Sequence, residues 1–266
     1  MSERVLVTND DGIDGPGLRE LTATLVAHGY EPLVVAPDRD YSGAAGSLLS
    51  LSAEKATFDQ STIRYERRVL EEAPDVEAYA IEGPPALCAL IAMRETFGPA
   101  PTLVTSGINY GLNVGPAVMH SGTVNAALVG ARAAGVPAIA ISAHFNPDDP
   151  DTMRYDTAAQ MAMRVLAAMP SAGHQVVSLN VPCCDISEVK GLRSGTLAPR
   201  FAYRSFMEVT DENTITRTYK EDPDVVIPEG SDTALIYAGY ASVSALTAIG
   251  AVDCSDLVDA VVEASA

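Results

Sequence analysis

The sequence predicts an α/β fold built on a doubly wound, mostly parallel sheet, followed by an extended β-hairpin. Through residues 5–179, short apolar runs of strand length alternate with segments of helical period. This alternation is typical of a parallel sheet with crossover helices. From about Pro182 onward the pattern changes to β-forming residues around a polar turn. The hairpin is therefore expected to follow the sheet in the chain.

The first predicted strand is the apolar run at residues 5–7, which is long enough for a buried strand and too short for a helix. Turn-forming residues occupy positions 9–12, and leucines then repeat at helical spacing from residue 18 to residue 25. The turn presents Asp10 and Asp11 at the carboxyl end of the strand, where ligands bind in open α/β sheets. The alternative is a polar turn in which Asp14 caps the helix.

The later elements are predicted from the same two patterns, short apolar runs for strands and apolar residues at helical spacing for helices. Further strands are predicted at residues 33–36, 62–65, 77–81, 103–105, 138–141 and 176–179. Helices are predicted at residues 84–98, where Pro84 and Pro85 suit a first turn, at 123–134, and at 156–169, where apolar residues keep strict helical spacing.

The hairpin is predicted at residues 199–229, with its tip at residues 211–213. A hairpin this polar is marginal alone, so it should lie against the domain or against another subunit. Residues 242–249 are predicted to form a short final helix. These patterns predict a Rossmann-like α/β domain at residues 1–185 and a second part at 186–266, which holds the hairpin as an extended arm, the short helix and an acidic tail.

Composition excludes several classes of function. The chain has 266 residues, of which 47% are hydrophobic, and a net charge of −18 with a pI of about 4.4. So acidic a surface repels nucleic-acid backbones and anionic membranes. We therefore expect no nucleic-acid polymer and no membrane as partner, and an anionic small substrate needs a local cation, dipole or metal.

A cytoplasmic location is expected from other features. No basic and apolar leader precedes the first strand, and no apolar run reaches the roughly 18 residues of a membrane span. The four cysteines form no CxxC pair, which favours reduced, structural thiols.

Polar, glycine-containing loops follow the predicted strands, and they should meet at one edge of the sheet. Their side chains offer carboxylate, amide and hydroxyl oxygens without histidine or thiolate partners, which suits Mg²⁺, Mn²⁺ or Ca²⁺. Ser121, Gly122 and Thr123 directly precede a helix, an arrangement that binds anions such as phosphate. Ser and Thr are also ordinary helix caps, which is the alternative. The candidate side chains are Asp10 and Asp11 in the first loop, Ser42 in the second, and Asn109, Asn113, Ser121 and Thr123 in the third.

The ordered motifs TNDDGIDGPG, APDRDYSGAAGS, SGINYGLNVG and SGTVNAA resemble the survival protein SurE family of metal-dependent 5′/3′-nucleotidases. SLNVP and SDTALIYAGYASVSAL resemble its later motifs, so the similarity runs from Val5 to about Leu246. The resemblance implies a Rossmann-like fold with an arm exchanged between subunits, in a homodimer or homotetramer. It also implies hydrolysis of nucleoside 5′- and 3′-monophosphates.

The resemblance implies a role for each motif residue and one divalent metal ion per subunit, Mg²⁺ or Mn²⁺, with Ca²⁺ as an alternative occupant in crystals. The implied metal ligands are Asp10, Asp11, Ser42 and Asn109. The implied phosphate ligands are Asn113, Ser121, Gly122 and Thr123. The implied catalytic residues are Asp10, Asp11 and Asn113, with either aspartate as the base that accepts the proton of the attacking water.

The sequence departs from the family's pattern at positions that are not implied metal ligands. These positions are Pro84, Leu87, Pro116, Ala117, His120, Asn125 and Val129. His120 adjoins the SGT run, so it is also a candidate for contact with the substrate. Alternative functions are a broad-specificity acid phosphatase and a nucleotide-binding module without turnover. A phosphatase that forms an aspartyl-phosphate is disfavoured, because the first loop lacks the D-x-D spacing.

Overall fold

The computed structural model describes residues 2–49, 62–146, 152–169 and 176–247. Five helices and eleven strands lie in these ranges. The helices are α1 Pro16–Ala27, α2 Pro85–Met93, α3 Gly122–Ala134, α4 Tyr155–Leu166 and α5 Asp232–Tyr237. The strands are β1 Arg4–Thr8, β2 Glu31–Pro37, β3 Tyr65–Leu70, β4 Ala73–Ile81, β5 Leu103–Tyr110, β6 Ala138–Ala143, β7 Val176–Val181, β8 Leu192–Ser194, β9 Tyr203–Asp211, β10 Thr214–Glu221 and β11 Ala241–Leu246.

Nine of these strands form one sheet in the order β3-β4-β2-β1-β5-β6-β7-β11-β8. The six central strands from β4 to β7 are parallel, while β3 is antiparallel to β4 and β11 is antiparallel to β7. β8 pairs in parallel with β11 at the far edge. The chain order reverses between β1 and β5, where ligands bind in open α/β sheets.

Helices cover both faces of the sheet because the central strands are apolar on both sides. In β1, Val5 and Val7 face the core that contains the leucines of α1 and the methionines of α4. Leu6, between them, faces the opposite core, which contains residues of α2 and α3. The predicted α/β fold with a doubly wound, mostly parallel sheet is therefore confirmed.

The structure corrects the predicted terminal helix. Residues 241–246 form strand β11, whose Ser242 and Val243 pair with Asn180 and Leu179 of β7, while residues 248 and 249 lie outside the described ranges. The helix near this point is α5, which Ser231 caps by accepting a hydrogen bond from the Ala234 N–H at 3.3 Å. Residues 241–246 alternate small or apolar residues with serine, and pairing with β7 on one side and β8 on the other selects the extended form.

Two smaller boundaries also differ from the sequence prediction. The strand predicted at residues 62–65 begins at Tyr65 and continues to Leu70 as β3. The helix predicted at 84–98 ends at Met93, and Glu95 beyond it has a positive φ of 61°. The left-handed conformation at Glu95 ends the helix, although the sequence pattern predicts that it continues to residue 98.

The predicted hairpin is present as a separate two-stranded sheet of β9 and β10, and its tip lies at Asp211–Thr214 as expected. Every residue of β9 is exposed. None of the helices in the described ranges is both long and apolar enough to cross a membrane.

Candidate active site

The first loop carries two neighbouring carboxylates at the end of β1. Asp10 is only 4% exposed, and its Oδ1 accepts a hydrogen bond from the Thr123 hydroxyl at 2.5 Å. Asp11 Oδ2 accepts a hydrogen bond from the Tyr110 N–H at 3.3 Å. Burial raises the pKa of Asp10, and burial together with the Asp10 charge raises the pKa of Asp11 to about 7. Both carboxylates are therefore costly to ionise without a compensating cation.

The conformation of the first loop is set by its own residues. The Asn9 side chain donates to the Gly12 carbonyl at 2.9 Å, and Gly12 has a positive φ of 93°. Asp14 does not cap the helix, because the N-cap of α1 is Gly15 and the Asp14 carboxylate pairs with Arg68 at 2.6 Å. The alternative in which Asp14 serves as the cap is therefore wrong.

The second loop packs directly on the first. The Tyr41 N–H donates to the Asp10 carbonyl at 2.7 Å. A β carbon at Gly12 would lie 2.9 Å from the Arg39 carbonyl carbon, so this close approach requires glycine. Ser42 is exposed, and its backbone N–H donates to Asp40 Oδ1 at 2.7 Å. No hydrogen bond in the described residues joins the Ser42 side chain to Asp10 or Asp11.

The third loop begins at the end of β5 with Asn109, which is 9% exposed. Its amide nitrogen donates to the Gly111 carbonyl at 2.8 Å and to the Tyr110 carbonyl at 3.3 Å. The amide oxygen is therefore the atom that remains for a cation. The hydrogen bond from the Tyr110 N–H to the Asp11 carboxylate holds this end of β5 against the carboxylate pair.

Asn113 lies farther along the third loop and is 6% exposed. Its side-chain nitrogen donates to Ser142 Oγ at 2.9 Å and lies 3.4 Å from Thr123 Oγ1. Because Thr123 also donates to Asp10, a continuous chain of contacts joins Asn113 to the first loop.

The beginning of α3 completes the arrangement. Ser121 is its N-cap, and the Ser121 hydroxyl accepts the Val124 N–H at 3.0 Å. A β carbon at Gly122 would lie 2.7 Å from Asp10 Oδ2. The positive end of the α3 dipole therefore lies directly against the Asp10 carboxylate.

The donor set fits a hard divalent cation. Within the described ranges, no Lys or Arg forms an ion pair with Asp10 or Asp11, and no group of three or more His, Cys, Asp or Glu side chains is arranged to hold a metal ion, so amide and hydroxyl oxygens must complete any site here. Two uncompensated carboxylates with an amide oxygen beside them offer oxygen ligands alone, which Mg²⁺ and Mn²⁺ prefer. Seven of the eight predicted site residues lie together at this edge of the sheet: Asp10, Asp11, Asn109, Asn113, Ser121, Gly122 and Thr123. The eighth, Ser42, belongs to a loop that packs on the first loop, but its side chain makes no hydrogen bond to the carboxylates in the described residues.

Comparison with known proteins agrees with this architecture. The family model described as survival protein SurE matches residues 5–204. The chain belongs to the SurE family. It is 35% identical to 5′-nucleotidase SurE of Aeromonas hydrophila over 92% of both chains. It is also 35% identical to 5′/3′-nucleotidase SurE of Proteus mirabilis, over 91% of this chain and 89% of that protein.

A crystal structure of the SurE protein from Aquifex aeolicus matches the fold with a TM-score of 0.72 and 28% identity. The match covers 91% of this chain and 92% of that one. The resemblance inferred from the sequence motifs is therefore confirmed at the level of family and fold.

Of the positions expected to depart from the SurE pattern, Asn125 lies beside the site. Asn125 donates to the Ser121 carbonyl at 2.9 Å, and a β carbon at Gly46 of the second loop would lie 3.3 Å from Asn125 Oδ1. Asn125 thus lies between the second loop and the SGT run. Leu87 is 6% exposed in the core, and His120 is exposed at the end of a short 3₁₀ helix, Gly115–Met119.

Sequence reasoning missed three buried residues that hold the third loop. Ser142 contacts the Asn113 side chain, and Asn180 contacts its backbone. The Asp232 carboxylate accepts the Gly115 N–H at 2.7 Å and the Ala198 N–H at 2.9 Å. The only signal was that Asn180 and Asp232 lie in the SLNVP and SDTALIY motifs.

Proposed function

We propose that this chain is a divalent-metal-dependent nucleotidase that hydrolyses nucleoside 5′- and 3′-monophosphates to nucleoside and phosphate. The observation that carries the proposal is the contact between Asp10 and the first turn of α3. It places a carboxylate pair without a Lys or Arg partner in the described residues beside a helix N-terminus that is suited to an anion. The printed names of the SurE relatives describe the same activity.

We assign the metal to Asp10, Asp11, Asn109 and Ser42, with Mg²⁺ or Mn²⁺ as the ion. Such a cation supplies Lewis-acid activation of the phosphoryl group and of the attacking water. The carboxylates supply the charge that holds it, and either aspartate can accept the proton of the water.

The phosphate is assigned to the N-terminal turn of α3 and to Asn113. The N–H groups at Gly122 and Thr123 lie at the positive end of a 13-residue helix, where they stabilise charge that develops on the phosphoryl oxygens. The Thr123 hydroxyl donates to Asp10, and the Thr123 backbone N–H also hydrogen-bonds to the Asp10 carboxylate, so Thr123 contributes to the phosphate site through the helix dipole. The Asn113 amide is held beside the same turn.

We further propose that two or four copies associate by exchanging the hairpin arm. Met207, Val209 and Ile215 of the arm are 67%, 72% and 66% exposed. The strand register pairs Val209 with Ile215, and Met207 lies two residues from Val209, so all three share one face. A second copy that covers this face removes the apolar surface from water.

A cytoplasmic location is also proposed. Its support is chemical, because Cys88, Cys183 and Cys184 are unbridged in the part of the chain that the structure describes.

The test is a phosphate-release screen on nucleoside 5′- and 3′-monophosphates with Mg²⁺, Mn²⁺ or Ca²⁺, each with and without EDTA. We expect metal-dependent release from several nucleotides, and its loss in EDTA. Para-nitrophenyl phosphate measures the breadth of ester specificity. Nucleotide binding without phosphate release under every metal would instead identify a binding module and overturn the proposal.

A further inference from the structure

A row of polar residues crosses the sheet beneath the third loop. The strand registers pair Asn109 of β5 with Ser142 of β6, Ser142 with Asn180 of β7, and Asn180 with Ser242 of β11. Residues paired in register point to the same face of a sheet, so these side chains lie side by side. Ser142 is 0% exposed and Asn180 is 1% exposed. Polar groups this deeply buried need hydrogen-bond partners.

Both buried residues find their partner in Asn113. Ser142 Oγ accepts the Asn113 side-chain nitrogen at 2.9 Å. The Asn180 amide makes two bonds to the Asn113 backbone: its Oδ1 accepts the Asn113 N–H at 2.9 Å, and its Nδ2 donates to the Asn113 carbonyl at 3.2 Å. One side chain thus fixes the backbone of Asn113, and another fixes the direction of its amide.

Asn113 needs this support because nothing in its own segment supplies regular hydrogen bonding. Residues 111–114 belong to no helix or strand, and Gly111 has a positive φ of 99°. The two Asn180 bonds replace the ladder bonds that a strand neighbour would give. A catalytic amide must be held to within a fraction of an ångström for its hydrogen bond to favour the transition state.

We infer that Ser142 and Asn180 are positioning residues that act on the reaction through Asn113. The inference rests on the proposed function, in which Asn113 contacts the phosphate. It predicts that removing either residue lowers turnover only while the Asn113 side chain is present. A purely structural role for these buried bonds would lower turnover equally in both backgrounds.

The experiment is a double-mutant cycle in kcat. Ser142→Ala and Asn180→Ala are made in the wild type and in Asn113→Ala, and nucleotide hydrolysis is measured at saturating Mn²⁺. We expect each to lower kcat at least about tenfold in the wild type, because Ser142→Ala removes one hydrogen bond to Asn113 and Asn180→Ala removes two. In Asn113→Ala we expect a further change of less than about twofold. Mn²⁺ affinity by calorimetry should be unchanged in all variants.

Ser178→Ala is the matched control. Ser178 lies on β7 two residues from Asn180, is 1% exposed, and its hydroxyl has no hydrogen-bond partner in the described ranges. The same deletion there should leave kcat unchanged in both backgrounds. Equal losses of kcat with and without the Asn113 side chain would overturn the inference, as would losses no larger than that of Ser178→Ala.

If Asn180→Ala does not fold, Ser142→Ala and its cycle with Asn113→Ala decide the question. If the wild type releases no phosphate from any nucleotide, the proposed function fails, and hydrogen exchange of the Asn113 N–H tests the positioning by itself. We expect that exchange to be at least tenfold faster in Asn180→Ala than in Ser178→Ala. Equal rates would overturn the inference.

Discussion

A β carbon at Gly122 would lie 2.7 Å from both Cβ and Oδ2 of Asp10. Real β carbons do not approach other atoms so closely, so glycine is required for α3 to begin against the carboxylate. This contact joins the anion-binding turn to the carboxylate pair, and it fixes the distance between the two halves of the proposed chemistry.

Gly122→Ala should therefore disturb the site more than the fold. The methyl group must push α3 and the first loop apart, at a cost of about 1–3 kcal/mol in unfolding free energy. We expect kcat/KM to fall at least tenfold, measured beside chemical denaturation. Gly29→Ala is the control, because Gly29 has a φ of 84° and no atom within 4 Å of an added β carbon. It should lose a similar stability through backbone strain and keep its activity. Equal activity losses in the two variants would contradict the argument.

Asp10→Asn and Asp11→Asn should each abolish most phosphatase activity. Each change removes one negative charge and leaves an amide, which is a poorer ligand for a hard cation. We expect kcat/KM to fall at least a hundredfold, which corresponds to about 3 kcal/mol, and Mn²⁺ affinity by calorimetry to fall with it. Asp14→Asn is the matched control in the same loop, because Asp14 is 61% exposed and paired with Arg68. Full activity of both site variants at saturating metal would contradict this prediction and would mean that the NDDG loop is only a turn.

The metal-free protein should lose stability as the pH rises from about 4 to about 7. The unperturbed pKa of Asp11 is 3.8 and its folded value is about 7, so the folded state keeps a proton that the unfolded state releases. The favourable contribution is complete below the unfolded pKa and is lost as the pH passes through the folded pKa. In EDTA, the stability of Asp11→Asn relative to the wild type should rise across this window, by at most about 1.4 kcal/mol per pH unit. Denaturation curves between pH 4.5 and 8 measure it, and a pH-independent difference would contradict the raised pKa.

Replacing Met207, Val209 and Ile215 together by serine should weaken association of the subunits. All three are exposed on one face of the arm, so the monomer loses little on substitution. We expect light scattering at micromolar concentration to show a shift from dimer or tetramer toward monomer. Val69→Ser is the control, because Val69 is 73% exposed on β3, away from the arm. A monomeric wild type with its arm intact would refute arm exchange.

Much of the fold follows from local patterns in the sequence. Buried strands such as β1 and β6 are short apolar runs, and polar loops mark where each strand ends. The helix predicted at residues 242–249 is wrong over 242–246 because the extended form of these residues depends on pairing with β7, which no local pattern reveals. Tertiary pairing overrides weak local preference in such segments.

The candidate site also contains residues that local sequence patterns predict and residues that only the folded structure reveals. Asp10, Asp11 and the SGT run could be proposed from loop position and motif. Ser142 and Asn180 could not, because they meet Asn113 only through the register of β5, β6 and β7. Side chains that act across a sheet become visible once the strands are aligned.

Hydrogen bonds of Thr196 and Asp232 hold together the two ends of the arm. Thr196, before the arm, donates to the Gly230 carbonyl at 3.3 Å and accepts the Asp232 N–H at 2.8 Å, while the Asp232 carboxylate holds both Ala198 and Gly115. The arm is therefore an insertion that lies, in chain order, between β8 and β11, two strands that pair directly in the sheet. The hydrogen bonds of Thr196 and Asp232 join its two ends. Lengthening or shortening residues 203–221 leaves these hydrogen bonds in place, together with the Asp232 carboxylate that accepts the Gly115 N–H. The length of the arm can thus change in evolution or design without rebuilding the loop that carries Asn113, and under the proposed arm exchange such a change would alter the contacts between copies.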